Sequence, residues 1–148
     1  MFVKKPVLPI FAAAFTCIVS AAADDIALSL VHGEDRIDIP ASAIIRVEAH
    51  ATQTLTFTDT HRTQTYDRPH VELCYSAEIR EQICRLTRRI VAQPLSIVVG
   101  CEIISQPVVR EPLCTMPCFQ ISSNDIQEAN ALAQRLKKGS NRRCTPVS

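Results

Sequence analysis

Hydrophobic and polar positions alternate in short runs along the first half of the chain and fall into helical spacing in the second. Ile26 to Val31 reads Ile-Ala-Leu-Ser-Leu-Val, a first strand, and His32-Gly33-Glu34-Asp35 turns it. Arg36 to Ile39 forms a short return strand ending at Pro40. Ala41 to His50 holds Ile44, Ile45 and Val47, a short helical turn running into a strand. From Gln53 to Thr58, threonines alternate with Leu55 and Phe57, which predicts a half-buried strand. Thr60 to Arg68 is polar without a strong pattern and reads as a loop or ragged hairpin.

Val71 to Tyr75 alternates again as a strand, and Ser76 can cap the helix that follows, with Glu78 in its first turn. Ile79, Ile83, Leu86 and Ile90 then make one apolar stripe at helical spacing, ended by Pro94. Leu95 to Val99 and Ile103-Ile104 flank Gly100-Cys101, the tip of a β-hairpin. Val108 and Val109 continue to Pro112, followed by a loop with Met116 and Pro117. Ser122-Ser123-Asn124-Asp125 is an N-cap cluster, with Asn124-x-x-Gln127 as a capping box. Ile126, Ala129, Leu132, Ala133 and Leu136 mark a second buried helical face, stopped by Gly139 after Lys137 and Lys138. With few strands before Val71, the sheet is expected to leave an open edge, a route to pairing with a peptide.

The N-terminus changes the picture of compartment. Lys4 and Lys5, the apolar run Val7 to Val19 and the small residues Ala21-Ala22-Ala23 form an export signal, with cleavage expected after Ala23. The run is short for a membrane span, so a single-pass anchor is the lesser reading. A lipoprotein at Cys17 is another, because Phe15 and Thr16 make a poor lipobox. No other segment is apolar enough to span a bilayer. Removing residues 1–23 from the 148 leaves enough chain for one domain with a modest core. The full chain has 16 Lys and Arg against 15 Asp and Glu, and loss of Lys4 and Lys5 turns the balance to one net negative charge. That argues against a nucleic-acid partner.

Cysteine usage fits export. Cys74, Cys84, Cys101, Cys114, Cys118 and Cys144 remain after the signal, an even set that reads as three disulfides whose pairing stays open. Each adds about 2 to 4 kcal/mol to a small domain. Zinc is the competing reading, but the one close pair is Cys114-x-x-x-Cys118, and His32, His50, His61 and His70 lie in the other half of the chain. A thioredoxin-like role would want Cys-x-x-Cys at a helix N-terminus. No metal or other cofactor is expected.

Several segments in order carry a family likeness. They are the strand Val71 to Cys74, the helix motif Leu86-Thr87-Arg88, the hairpin Leu95 to Ile104 and Pro107-Val108-Val109-Arg110-Glu111-Pro112. Gln120-Ile121-Ser122, Glu128-Ala129-Asn130 and Leu132-Ala133 complete the run. Together they resemble the head of the first periplasmic domain of SecD/SecDF, protein-export membrane proteins, from Val71 to Gly139. Where that family has a turn Asp-Gly this chain has Gly100-Cys101. Its loop glycines become Cys114 to Cys118, and the Gly after Gln-Ile-Ser becomes Ser123. Loss of glycine implies a stiffened head held by disulfides. The resemblance implies contact with emerging polypeptide. In the family the head moves relative to a membrane part that uses the proton gradient. These 148 residues carry no such part, so pumping is not expected of them.

No nucleophile, base and acid fall at a catalytic spacing, which leaves a hydrolase as the weakest reading, and the histidines read as surface or hydrogen-bonded structural groups. Arg110-Glu111 is a candidate binding pair beside the hairpin, against the plainer reading of local turn contacts. Arg85, Arg88 and Arg89, with Arg80, could dock an acidic partner or anionic head groups, against that of a solvated helical face. The expectation is one disulfide-stabilised α+β domain over residues 24–140, an antiparallel sheet with two main helices on one face and a ferredoxin-like second half. Residues 141–148 form a tail tied by Cys144. Functionally it reads as an exported, non-enzymatic binding module of periplasm or exterior, with a protein or peptide partner. The alternative is a secreted disulfide-rich effector or inhibitor acting on a foreign protein.

Overall fold

The computed structural model describes residues 25–140. The expected export signal, Cys17 and the expected Cys144-tied tail lie outside the described residues. Among the described residues, nine strands and two α-helices follow the order β1 (Ile26–His32), β2 (Asp35–Pro40), a 3-10 turn (Ala41–Ala43), β3 (Ile44–His50), β4 (Gln53–Phe57), β5 (Arg62–Tyr66) and β6 (His70–Tyr75). Then come α1 (Ala77–Arg89), β7 (Ser96–Val99), β8 (Glu102–Ser105), β9 (Cys118–Ser122) and α2 (Ile126–Lys138).

The fold is α+β with antiparallel pairing throughout, divided among three sheets. One runs β2-β1-β7-β8, a second β3-β6-β9, and β4-β5 stands as a separate hairpin. Helix α1 packs along β2, while α2 lies against β3 and β6 and also reaches β1. The apolar faces meet in one core that includes Leu28, Ile39, Val71, Leu73, Ile83 and Leu136, each no more than 1% exposed. Central strand β1 is buried on both faces, so its one polar residue there, Ser29, needs partners. It donates to Asp38 at 2.5 Å and accepts from Arg36 at 3.0 Å.

Both helix starts follow from their caps. Ser76 accepts the Ile79 amide at 3.4 Å. At α2 the cap is Asp125, one residue later than the expected Asn124 box. Its carboxylate accepts the Glu128 amide at 2.8 Å, and Glu128 reaches back to the Asn124 amide at 2.9 Å. The reciprocal logic is that of a capping box, carried by Asp125 and Glu128. Pro94 is not what ends α1. The helix closes at Arg89 with Ile90 as C-cap, and Ala92 turns the chain at φ +67°.

Three other expectations are corrected. The Gln53–Phe57 strand forms, but Leu55 and Phe57 are 37% and 41% exposed, because its only ladder among the described residues is with β5. Its partner β5 is a regular strand within the stretch read as a loop or ragged hairpin, and the hairpin reading is the one that holds. Val108 and Val109 do not extend a strand; Val108 makes an isolated bridge to Pro94. Conversely, Cys118–Ser122, read as the end of a loop, is the edge strand β9. The Gly100-Cys101 turn does close β7 onto β8, with both residues at positive φ, +57° and +71°. That is the backbone twist two-residue hairpin turns require.

Candidate functional site

Sequence order separates Arg110-Glu111 from the apolar residues around them, and the fold brings them together. A cleft of about 280 Å³ lies between α1, β7 and β9. Leu30, Ile83, Leu95 and Ile97 give it apolar walls, Phe119 of β9 flanks it, and the 107–113 segment forms the remaining side with Arg110 and Glu111. Val108 on that segment is 55% exposed. The surface can take an apolar side chain of a partner while offering one positive and one negative group beside it.

The 107–113 segment has no regular secondary structure, so its backbone groups must be satisfied elsewhere. Ala92 donates to the Val109 carbonyl at 2.7 Å, Val109 to Gln93 at 2.9 Å, and Leu95 to Pro107 at 2.8 Å. The Leu113 amide donates to Thr87 Oγ1 at 2.9 Å, while that hydroxyl donates to the Ile83 carbonyl at 2.8 Å. A disulfide from Cys84 on α1 to Cys114 fastens the end of the segment.

Five of the expected disulfide cysteines lie among the described residues, and all five are bonded. Cys74 pairs with Cys118 across β6 and β9, Cys84 pairs with Cys114, and Cys101 is also in a disulfide. Cys114 and Cys118 thus enter two different bridges, which removes their thiolates from any zinc site. Tyr75 continues the fastening at the other end: its hydroxyl donates to the Met116 carbonyl at 3.0 Å, and its ring tilts against Phe119 at 5.6 Å. Burial pushes the Tyr75 phenol above its usual range, with nearby Arg80 opposing the shift.

The other expected partner-binding residues do not join the cleft. Arg85, Arg88 and Arg89 border a separate shallow hollow of about 480 Å³ with Asp35 and Arg36. Arg89 pairs with Asp35 at 3.3 Å and Arg85 with Glu81 at 3.7 Å. At that exposure such pairs are screened and contribute less than about 1 kcal/mol. Two of the histidines make local hydrogen bonds: His32 donates to the Pro94 carbonyl at 2.8 Å and His70 to the Arg68 carbonyl at 2.9 Å. No helix among the described residues is long and apolar enough to cross a membrane.

Sequence reasoning missed the cleft's apolar lining, since Leu30, Ile83 and Ile97 read as ordinary core positions. The only sequence signal for Phe119 was the brief alternation Phe119-Gln120-Ile121.

No curated protein sequence matches the chain. A solved structure of SecDF, described as a membrane component that enhances protein export, is similar at 21% identity and a TM-score of 0.49, over 75% of this chain and 46% of that one. SecDF in a super-membrane-facing form is similar at 22% identity and a TM-score of 0.48, over 75% of this chain and 14% of that one. The chain therefore spans less than half the length of either. The family profile described as SecDF, P1 head subdomain, matches residues 40–140. It takes in β3 and the β4-β5 hairpin as well as the segment from Val71 onward. The chain belongs to the SecDF P1 head subdomain family.

Proposed function

We propose that this chain is an exported, non-enzymatic binding module that contacts polypeptides or envelope proteins through the cleft beside β9. The single observation that carries the reading is the apolar hollow with Arg110 and Glu111 at its side and exposed Val108 on the adjoining segment. Interaction sites commonly combine such an apolar centre with a polar rim. Edge strands β8 and β9 leave backbone groups for an extended partner to pair with. A SecDF relative is described as enhancing protein export, and a polypeptide ligand suits that setting.

In this reading residues 1–23 direct export, the domain covers residues 24–140 and works in the periplasm, and the tail is tied by Cys144. Arg110 and Glu111 orient the partner's polar groups. Arg85, Arg88 and Arg89 form a second, basic contact for an acidic stretch of the same partner.

The test is fluorescence anisotropy of a labelled, unfolded peptide rich in Leu and Phe against the oxidised protein. Val108→Glu places a charge at the exposed side of the hollow without touching the core. It is expected to weaken binding by about fivefold or more with an unchanged melting transition. Equal affinity of Val108→Glu and wild type would remove the cleft from the function.

A further inference from the structure

The outer face of the three-stranded sheet carries an arrangement that the cleft does not use. Strands β3 and β6 set Glu48 directly opposite Glu72, and His50 directly opposite His70. Glu48 and His50 are two residues apart on one strand and so share a face. Their donor atoms and the carboxylate of Glu72 all lie within 4.8 Å of one another.

Two features leave this cluster unfinished as a purely structural one. Like charges placed directly across a ladder repel, and here both carboxylates share a single guanidinium. Arg46 donates to Glu72 and lies 3.9 Å from Glu48. The second feature is His50. Its Nε2 is buried and has no hydrogen-bond partner among the described residues, and the Glu48 carboxylate at 3.7 Å is beyond hydrogen-bond reach. A buried polar atom of this kind calls for an unseen water or ion. The His70 ring stacks on His50 at 5.1 Å and is held by its own bond to the Arg68 carbonyl, which limits how far His50 can turn away.

We propose that Glu48, His50 and Glu72 form a binding site for a divalent transition-metal ion of the zinc class. One imidazole nitrogen and two carboxylates match the ligands such ions take, whereas calcium and magnesium call for oxygen alone. The metal replaces the shared guanidinium: two carboxylates then balance two positive charges, and Arg46, half exposed, swings into solvent. Donors around a tetrahedral zinc sit roughly 3.4 Å apart at bonds of about 2.1 Å, so closure needs only small rotamer shifts in side chains that are 24% to 50% exposed. Water completes the coordination. The neighbouring group of Glu72, Cys74 and Cys118 is no rival, because both sulfurs are in a disulfide. A bound ion would clamp β3 to β6 as the disulfide clamps β6 to β9.

The test is calorimetric titration of the oxidised full chain with zinc sulfate in a non-chelating buffer. One site per chain is expected, weakened at least about tenfold in His50→Ala and in Glu72→Gln. Arg46→Gln removes the competing cation and is expected to tighten binding about fivefold. His61→Ala, at the distant hairpin turn, leaves it unchanged. Absence of a one-to-one site overturns the proposal, as does affinity untouched by His50→Ala or not tightened by Arg46→Gln. Glu48→Gln provides a further ligand variant if His50→Ala fails to fold.

Discussion

Thr87 Oγ1 accepts the Leu113 amide at 2.9 Å from within a helix, with the threonine itself fully buried. One hydroxyl thereby joins α1 to the segment that walls the cleft, and it is satisfied in turn by the Ile83 carbonyl. Thr87→Val keeps the shape and strands the Leu113 N–H. Urea unfolding should show a loss of about 1 to 3 kcal/mol, with Thr87→Ser recovering most of it. A Thr87→Val chain as stable as wild type would mean that the hydroxyl is not the fastening.

The Cys84–Cys114 bridge spans 30 residues and fixes the same segment. Replacing both cysteines with alanine should cost about 3 to 4 kcal/mol. Amide exchange at Val109 and Leu113 should speed up more than at Val71 or Leu73 in the core. Uniform protection across the two regions would contradict a local role for the bridge.

Gly139 ends α2 at φ +67° and ψ −177°, a region that other residues avoid. A Cβ there would also stand 2.7 Å from the Asp25 Cβ. Gly139→Ala is therefore expected to lower stability by about 1 to 3 kcal/mol. The neighbouring Ile26–Ser140 bridge, with amides at 3.2 and 2.8 Å, should lose exchange protection first.

Burial raises the Tyr75 phenol above its ordinary value of 10.0. The folded state therefore holds this proton more tightly than the unfolded chain. Its stabilising contribution is complete below pH 10.0, and it is lost as pH rises through the higher folded value. As pH rises from 10.0 towards that value, melting temperature should fall more steeply in wild type than in Tyr75→Phe. Parallel curves for the two proteins would show that Tyr75 does not carry the slope.

Local patterning was enough to predict α1, α2 and the β7-β8 hairpin, because each is set by neighbours a few residues away. Ser76 caps, Ile79, Ile83 and Leu86 share one face, and Gly100-Cys101 turns with the needed backbone sign. The antiparallel α+β class and the expected use of disulfides follow from the same local and compositional signals. Strand β9 was obscured because its five residues, which follow Pro117 and run into a polar cap cluster at Ser122, alternate too briefly to stand out from a loop. The β4 strand shows the opposite limit. Its period was legible, but period says which residues share a face and not whether another element covers that face. In this fold little does, and Leu55 and Phe57 remain exposed.

Alternation, helical spacing and capping residues are properties of adjacent positions, so the sequence by itself determined most elements and the family likeness. Division of the strands into separate sheets, the pairing of Cys74 with Cys118 and Cys84 with Cys114, and the closure of the cleft around Phe119 were decided only in three dimensions. The same holds for the convergence of Glu48, His50 and Glu72. These features depend on which distant segments pack together, and that choice is made by the core as a whole through non-directional burial of apolar surface. No short stretch of sequence encodes it.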